Sequence, residues 1–478
     1  MEFDLNKRHC YWFDALAQIP RGSGNEKAAS DFIVQFAKDH GLTYKQDHVW
    51  NVIVDKPASP GYEDAQPLIM QAHLDVVCEK NKDVEHDFTK DPLDLYVDEE
   101  GWLHAKGTTL GCDDGFGVSY MLAVLEDETL PHPPLSCMFT TMEEIGLLGA
   151  RELKKEDIHG KRLINLDSGG ETKTSVSSAG GCTAVITRTL ECEDNADPTY
   201  MLGVRGLLGG HSGGLIHLER GNSNMLAARI LKELQLAGMD VRLVSFNGGL
   251  KFNAIPREAD VYFTSAAPKE ELEAQIRKSE KNILSELEFS DAGFKVLFET
   301  ADTADTRYIE SLSNELIDFL FLVINGFQHR SMAIEGLTAA SLNFGTVTTT
   351  DGRFEATALM RSALESHMDD MINHVKVMSE LLHMDTAFKD RFPGWAYAKN
   401  SPLREIAAKV EEAHGNKLEE VASHGGLECS IFKGLVPELD IITFGPIASG
   451  AHTPDEKLDL ASFDRTFEML KEIIAACH

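Results

Sequence analysis

The chain has 478 residues, 43% of them hydrophobic, which is enough for two or three domains with buried cores. Its 45 basic and 77 acidic residues give a formal net charge of −32, and a charge of that sign and size disfavours nucleic acid and anionic membranes as partners. The charged start of the chain and the lack of an apolar run of membrane length predict a cytoplasmic protein without a signal peptide. Eight scattered cysteines without paired spacing predict reduced thiols.

The first part of the chain alternates helix patterns with short apolar runs. One helix is expected at residues 11–16 and a second from about 25 to 41, with Ala28, Phe32 and Phe36 on its buried face. The next expected elements are strands at 49–54 and 68–72, a helix at 116–127, and strands at 135–141 and 163–166. This alternation is typical of an α/β fold with a mostly parallel sheet.

The segment 183–396 carries none of the acidic and histidine clusters found before and after it, which predicts an inserted domain. Residues 1–182 and 397–478 would then form the first domain, completed by a helix at 405–414, a strand at 441–444 and a helix at 460–476. The insertion contains a faint strand-helix repeat, 259–264 with 269–278 and 356–361 with 367–382. Two such units predict an α+β sandwich with helices on one face of an antiparallel sheet.

A histidine and an aspartate follow the apolar strand at 68–72. Side chains two residues apart on a strand point the same way, so His73 and Asp75 can face one spot, where an unsatisfied buried pair would cost several kcal/mol. Further polar residues follow other strand ends or small-residue turns: Asp113, Asp114, Glu143, Glu144, Asp167 and His452. Loops at the carboxyl ends of parallel strands meet in one crevice. Histidines mixed with carboxylates favour zinc, manganese or cobalt over calcium.

The order of these motifs resembles the M20 metallopeptidase family, and within it the aminoacyl-histidine and cytosolic non-specific dipeptidases. The motifs are HLDVV (73–77), GCDDG (111–115), MEEIGLLG (142–149), NLDSG (165–169), GGHSGG (209–214), NAIPREA (253–259) and SGAHTPDE (449–456). The resemblance implies a zinc-peptidase-like α/β domain with an inserted lid domain used for dimerisation. It also implies hydrolysis of dipeptides, including Xaa-His substrates such as β-alanyl-histidine, by a homodimer.

The same resemblance implies two divalent metal ions per chain, Zn²⁺ first, with Mn²⁺ or Co²⁺ as alternatives. In the family pattern His73 and Asp167 hold one ion, Glu144 and His452 hold the other, and Asp113 bridges them. The bond after Asp113 is expected to be cis, and Asp114 is left to cap a helix.

Family roles also follow for the remaining candidates. Glu143 would be the general base and Asp75 would orient the His73 ring. His211 would polarise the scissile carbonyl, often from the partner subunit, Asn253 and Arg361 would hold the substrate carboxylate, and Glu428 would meet its free amino group. Without the resemblance, an adjacent pair of acids is better interpreted as a solvated helix start. For Arg361, a surface arginine without a role remains an open alternative.

Three alternatives remain open on the sequence. Ser212 lies in a G-x-S-x-G pattern, which is the nucleophile elbow of serine hydrolases when a strand precedes it and a helix follows. A non-catalytic metal-binding protein would keep the ligands but has no use for Glu143. Within the M20 family, an aminotripeptidase or an N-acyl amino acid deacylase would share the same metal motifs.

Overall fold

The computed structural model describes residues 3–350 and 352–478. The chain forms two compact units. Unit 1 is the chain up to Ser177 together with Trp395–Ala422 and Leu427–His478, and unit 2 is Ser178–Gly394 together with Ser423–Gly426. Within the described ranges, no helix has both the length and the apolar character needed to cross a membrane.

Unit 1 contains helices at both ends of its sequence and a central sheet. Its helices are α1 (Arg8–Ala17), α2 (Lys27–Asp39), α3 (Cys112–Glu126), α4 (Leu148–Glu152), α9 (Pro402–Ala413), α10 (Glu428–Leu435) and α11 (Leu460–Ala476), with a 3-10 turn at Lys155–Asp157. Its strands are β1 (Thr43–Gln46), β2 (Val52–Lys56), β3 (Leu68–His73), β4 (Leu95–Val97), β5 (Trp102–Ala105), β6 (Leu135–Thr140), β7 (Arg162–Asn165), β8 (Lys173–Ser178), β22 (Glu419–Ser423), β23 (Asp440–Thr443), β24 (Ala448–Ser449) and β25 (Lys457–Asp459).

The main sheet of unit 1 has the strand order β1-β2-β6-β3-β7-β23. Strands β6, β3, β7 and β23 run parallel, and β1 and β2 complete the sheet in antiparallel pairing. Strands β3 and β6 are buried along their whole length, as expected for parallel strands covered on both faces. Residues of α1, α3, α9 and α11 share one hydrophobic core with them. The expected α/β fold with a mostly parallel sheet is confirmed.

Two helices differ in detail from their prediction. In α2 the buried face is formed by Ala29, Ile33, Phe36 and Ala37, and Ala28 is exposed, because the core meets the helix one position later than the assumed stripe. Helix α3 begins at Cys112 rather than near residue 116. Its first turn is irregular, since the next two residues, both aspartates, have non-helical backbone angles.

Unit 2 is a second layer structure with one long sheet. Its helices are α5 (Ser223–Leu236), α6 (Lys269–Glu286), α7 (Glu310–Leu322) and α8 (Glu365–Leu381), with a 3-10 turn at Ile216–Leu218. Its strands are β9 (Gly180–Thr189), β10 (Cys192–Asp194), β11 (Thr199–Arg205), β12 (Gly210–His211), β13 (Arg242–Gly248), β14 (Ala254–Ile255), β15 (Ala259–Thr264), β16 (Lys295–Thr300), β17 (Thr306–Tyr308), β18 (Gly326–Arg330), β19 (Thr338–Thr350), β20 (Arg353–Ser362) and β21 (Asp385–Phe392).

The long sheet of unit 2 is built from two halves of the same topology. The strand order is β16-β11-β15-β13-β19-β20-β9-β21, with β18 added beside β19. One half runs β11-α5-β13-β15-α6-β16 and the other β9-α7-β19-β20-α8-β21, so each is a βαββαβ unit with its strands in the spatial order 4-1-3-2. The halves join at β13 and β19, where Gly248 is opposite Val347.

This duplication explains the repeat seen in the sequence. The two strand-helix segments correspond to β15 with α6 and to β20 with α8, which are the third strand and second helix of the two halves. The first half is inserted into the second between β9 and α7, so equivalent elements are far apart in the chain. Helices α6, α5, α7 and α8 contact one another in that order and form one layer.

Candidate active site

Three neighbouring parallel strands of unit 1 deliver polar residues to one edge of the sheet. Strand β3 ends at His73, β6 leads into Glu143 and Glu144, and β7 leads into Asp167. His73 on β3 is paired in register with the last residue of β6, and Gln71 with the last residue of β7. The carboxyl ends of the strands therefore meet, which is where α/β sheets bind ligands.

Asp113 lies between two histidines. Its Oδ1 is 3.0 Å from Nε2 of His73, and its Oδ2 is 3.3 Å from Nε2 of His452. His452 Nε2 also lies 2.9 Å from Oε1 of Glu144, and His73 Nε2 lies 3.9 Å from Oδ1 of Asp167. The two oxygens of one carboxylate thus face two different histidines, an arrangement that could bridge two metal ions.

The start of α3 holds Asp113 in place. The peptide bond between Asp113 and Asp114 is cis, as the family resemblance implies. Asp114 is buried, and its Oδ1 accepts a hydrogen bond from the Gly117 N–H at 3.2 Å, while its Oδ2 accepts one from the His73 N–H at 3.3 Å. Asp114 thus caps the regular part of α3 and ties it to the end of β3.

Asp75 contacts both the His73 ring and the turn that carries the two glutamates. The His73 Nδ1 atom is 2.9 Å from the main-chain carbonyl oxygen of Asp75, whereas the nearest carboxylate oxygen of Asp75 is 3.5 Å away. That carboxylate instead accepts hydrogen bonds from the N–H groups of Glu143 and Glu144, at 3.0 and 3.2 Å, and from the Ser23 hydroxyl at 2.8 Å. The side chain of Asp75 therefore orients the turn that carries the two glutamates, and its main chain orients the histidine.

Burial and crowding shift the protonation of this cluster in the metal-free protein. Burial raises the pKa of Glu143 to about 8, with the Glu428 charge adding to the effect and His73 opposing it. Burial also raises the pKa of Asp167 well above its usual range, helped by the charge of Asp113. Hydrogen bonds to Asp113 and Glu144 raise the pKa of His452 to about 10. Burial thus favours the neutral forms of Glu143 and Asp167.

The donor set fits divalent cations. Three groups of side chains at this edge each offer ligand atoms within 4.8 Å of one another: His73 with Asp114 and Asp167, His73 with Glu143 and Glu144, and Asp113 with Glu144 and His452. Imidazole nitrogens combined with carboxylate oxygens suit zinc and similar metals. The excess of carboxylates over histidines also leaves negative charge that a divalent ion would neutralise.

Glu428 belongs to a buried network at the first turn of α10. Its Oε2 accepts hydrogen bonds from the Gln71 amide at 2.6 Å and from the Thr140 hydroxyl at 2.8 Å, and Gln71 in turn accepts one from Asn165. Its Oε1 has no hydrogen-bond partner among the described residues. Burial raises the pKa of Glu428 to about 7, and a nearby His73 opposes that rise.

Two buried residues near this edge were missed by the sequence analysis. The Arg21 guanidinium donates to the carbonyl oxygens of Leu74 and Gly111, both at 2.8 Å. The Glu26 carboxylate accepts a hydrogen bond from the N–H of Met142, immediately before the pair of glutamates, at 3.0 Å. Both residues occur in the segment PRGSGNE, whose spacing resembles no ligand motif.

In unit 2, His211 and Asn253 are neighbours. Strand β12 pairs with β14 so that His211 is opposite the residue after Asn253, and the Ser212 N–H donates to the Asn253 carbonyl at 3.0 Å. The His211 Nδ1 accepts hydrogen bonds from the N–H groups of Gly213 and Gly214 at 3.3 and 3.1 Å. The ring hydrogen is therefore on Nε2. Burial, and then the charge of Arg361, lowers the pKa of His211 and keeps the ring neutral.

Arg361 lies on β20, opposite Ser341 of β19 and Gly181 of β9. Its Nε is buried and has no hydrogen-bond partner within the described part of the chain. Burial lowers the pKa of its guanidinium. A cation in this state is expected to bind an anion, because an unpaired buried charge is costly.

His424 is a further polar residue of unit 2, close enough to Arg361 and His211 for their charges to affect it, that the sequence did not reveal. Although the chain on either side of the segment Ser423–Gly426 belongs to unit 1, this segment belongs to unit 2. The His424 ring is 7% exposed, and its Nε2 is 2.7 Å from the Ser341 hydroxyl. Burial, with the charge of Arg361, lowers the pKa of His424 to about 3. A lone histidine before two glycines carries no spacing signal.

Ser212 does not lie in a nucleophile elbow. The two-residue strand β12 precedes it, and a turn and then the 3-10 helix Ile216–Leu218 follow it. Its side chain is 2% exposed. The elbow requires a strand running into a helix with an accessible hydroxyl, so the structure argues against the serine hydrolase alternative.

Comparisons with known proteins agree with this geometry. A model of the peptidase family M20/M25/M40 matches residues 69–476. The chain is 36% identical over 468 residues to the cytosol non-specific dipeptidase of Escherichia coli (strain K12), covering 97% of this chain and 96% of that protein. The fold is similar to the crystal structure of aminoacylhistidine dipeptidase from Vibrio alginolyticus, with a TM-score of 0.92, 33% identity, and coverage of 98% of this chain and 96% of that one.

More distant structures share the fold. A tripeptidase from Staphylococcus aureus superposes with a TM-score of 0.56 at 16% identity, over 98% of both chains. Fold and site together define a peptidase that works with divalent metal ions. The chain belongs to the M20 peptidase family.

Proposed function

We propose that this protein is a dipeptidase that cleaves Xaa-His substrates such as β-alanyl-histidine and also a broader range of dipeptides. The proposal is supported by similarity to two dipeptidases over almost the whole chain. The observation that carries it is the position of Asp113, whose two carboxylate oxygens face His73 and His452 separately. A carboxylate placed in this way fits a pair of metal ions held close together.

In this proposal each chain holds two divalent ions, Zn²⁺ in the first instance and Mn²⁺ or Co²⁺ as alternatives. His73 and Asp167 would hold one ion, Glu144 and His452 the other, and Asp113 both. Bound ions of this kind supply Lewis-acid activation of a water molecule and of the scissile carbonyl.

Glu143 is proposed as the general base. It is adjacent to Glu144 but is not needed in either ligand set, so its carboxylate is free to take a proton from water and pass it to the leaving amine. Asp75 supports this role by accepting the hydrogen bond from the Glu143 N–H.

Substrate contacts are proposed for His211, Asn253, Arg361 and Glu428. The Nε2–H of His211 would donate to the scissile carbonyl oxygen, which its neutral ring and fixed tautomer permit. Arg361 and Asn253 would hold the substrate carboxylate, which would give the buried Nε of Arg361 the hydrogen-bond partner that it does not have among the described residues. Glu428 would meet the substrate amino group through Oε1, and because its side chain is fully buried, this contact requires its neighbours to rearrange.

We further propose a cytoplasmic homodimer assembled through unit 2, which would serve as the lid and dimerisation domain, with His211 acting in the site of the partner chain. Closed two-fold dimers are the commonest soluble oligomers. The net charge of −32 and the cytosol designation of the Escherichia coli relative support the compartment.

One panel of substrates tests the reaction. Purified protein loaded with Zn²⁺, Mn²⁺ or Co²⁺ is assayed on β-alanyl-histidine, a second dipeptide, its tripeptide extension, its C-terminal amide and an N-acetylated amino acid. We expect fast cleavage of the two dipeptides and loss of activity with a chelator. Faster cleavage of the tripeptide would support an aminotripeptidase instead, and faster cleavage of the acylated amino acid would support a deacylase.

A further inference from the structure

A buried carboxylate lies beside the turn that leads to Asp113. Glu456 is 2% exposed. Its Oε2 accepts hydrogen bonds from the N–H groups of Leu110 and Gly111, each at 2.8 Å. Its Oε1 accepts them from the Cys112 N–H and Sγ–H, each at 3.0 Å, and from the Asp113 N–H at 3.3 Å. One side chain thus binds four consecutive main-chain N–H groups.

The turn is shaped for this contact. Gly111 has φ of 65°, in the left-handed region that glycine adopts without strain, which directs the successive N–H groups inwards. Arg21 holds the other side of the same turn by donating to the Gly111 carbonyl oxygen. Burial lowers the pKa of Arg21, and the charge of Glu456 opposes that lowering. A buried carboxylate with this many donors is strongly held.

Glu456 also belongs to the loop that carries His452. The loop runs from β24 to β25, and its own hydrogen bonds make it compact: the Glu456 N–H donates to the Thr453 carbonyl at 3.1 Å, and the Thr453 hydroxyl donates to the Gly450 carbonyl at 2.7 Å. A change at the Glu456 carboxylate is therefore transmitted to His452 over a short, hydrogen-bonded segment. The same carboxylate is bonded to the N–H of Asp113.

We infer that Glu456 is a positioning residue that sets the separation of Asp113 and His452. It would thereby set the affinity and coordination of the metal ion that Glu144 and His452 are proposed to hold. This inference rests on the proposed ligand set. It assigns a metal-tuning role to a side chain that is not itself a ligand. Residues that orient ligands in this way typically change metal affinity by about 10- to 100-fold when they are replaced.

Titration of the metal-free full-length protein with CoCl₂, followed by visible absorption, tests the inference. Glu456→Gln keeps the size of the side chain but places an amide NH₂ against N–H donors. We expect the Co²⁺ site that includes His452 to lose about 10- to 100-fold in affinity and its absorption bands to shift. The matched control is Glu411→Gln, which changes another fully buried glutamate of unit 1, bonded to Asn416; its Co²⁺ titration should match that of the unsubstituted protein.

Co²⁺ affinity and bands in Glu456→Gln equal to those of the unsubstituted protein would overturn the inference. Equal loss in Glu456→Gln and Glu411→Gln would also overturn it, because the effect would then be general destabilisation. If Glu456→Gln does not fold, Glu456→Asp decides: it keeps the charge but is one methylene shorter, and weakened Co²⁺ binding supports the inference while unchanged binding overturns it. If the unsubstituted protein binds no Co²⁺, the proposed ligand set fails as well, which separates the two failures.

Discussion

The two units carry polar clusters of opposite character. In unit 1, carboxylates outnumber histidines at the ends of the parallel strands, and burial raises the pKa of Glu143 and Asp167. In unit 2, the buried Nε of Arg361 has no hydrogen-bond partner among the residues that the structure describes, and the pKa of His424 is lowered to about 3, by burial and by the charge of Arg361. The first cluster favours cations and the second favours anions.

This difference shows that the charge of a buried cluster indicates the charge of the ligand that it binds. Buried groups of one sign are costly unless a partner of the other sign joins them. In unit 1 the proposed partners are metal ions, and in unit 2 the proposed partner is the carboxylate of a peptide. Substitutions in one cluster should therefore leave the other intact, and a mixture of variants should show whether the two clusters of one site come from different chains.

The largest effect is expected from Asp113→Ala. Removing the carboxylate that faces both histidines should abolish binding of both metal ions and reduce dipeptide turnover to background, because each ion loses a shared ligand. Metal content is measured by elemental mass spectrometry after gel filtration. The exposed Asp64→Ala variant is the control, and full metal content in Asp113→Ala would remove the bridging assignment.

Glu143→Gln separates metal binding from catalysis in the same cluster. The amide keeps the size of the side chain but cannot accept the proton, so turnover should fall by about 100-fold or more while metal content is retained. Steady-state rates on β-alanyl-histidine and elemental analysis of the same sample measure both. Turnover near that of the unsubstituted protein would place the base elsewhere.

Arg361→Ala tests the cationic cluster. The unsubstituted protein should favour a dipeptide over its C-terminal amide by about 10- to 100-fold, the value of a charge-assisted hydrogen bond, and the variant should lose that preference. The measurement is the ratio of kcat/KM for the two substrates. Arg353→Ala, on the same strand but exposed, should keep the ratio, and a retained preference in Arg361→Ala would contradict the clamp.

A mixture of His211→Ala and Glu143→Gln chains tests whether His211 of one chain acts in the active site of another. Each variant should be nearly inactive by itself. If His211 acts in the partner's site, subunit exchange should recover about a quarter of full activity, since half of the dimers are mixed and each has one complete site. Exchange demonstrated by mass spectrometry of tagged chains, with no recovered activity, would assign His211 to its own chain or to no site.

The smallest expected effect concerns His424 and pH. Its folded pKa of about 3 lies below the ordinary value of 6.5, so the folded state favours the neutral ring. Its contribution to stability is complete above pH 6.5 and is lost as the pH falls towards 3, by about 2 kcal/mol at pH 5. Urea midpoints at pH 7 and pH 5 should differ less in His424→Asn than in the unsubstituted protein. The exposed His374→Asn should behave as the unsubstituted protein does, and an unchanged pH effect in His424→Asn would contradict the prediction.

Much of unit 1 was predictable because its signals are local. Strands such as Leu68–His73 are mostly apolar, and helix Leu460–Ala476 was expected with the observed bounds. Strand ends could therefore be located, and the rule that parallel strands end at a common edge brings His73, Glu144 and Asp167 together. Their roles as ligands came from the family resemblance and remain predictions.

Contacts that join distant segments were not predictable in this way. The sequence suggested that Asp75 orients the His73 ring. It did not suggest that the Asp75 main-chain carbonyl lies closer to His73 Nδ1 than the carboxylate does, or that the carboxylate also binds the N–H groups of Glu143 and Glu144. Spacing along a strand reveals which side chains share a face. It does not reveal which hydrogen-bond partner a neighbouring loop will offer.

The sequence by itself determined the order of the strands and helices, the acidic edge of the parallel sheet and the repeat at 259–278 and 356–382, because hydrophobic periodicity and turn residues act over a few positions. The tertiary structure alone decided that the repeat is a pair of inserted βαββαβ halves, that His424 joins unit 2, and that Glu456 binds the turn before Asp113. These features depend on pairings between segments that lie far apart in the chain; Cys112 and Glu456, for example, are 344 residues apart. Such pairings leave no periodic trace in one sequence, since any polar residue at the right point in space can make them.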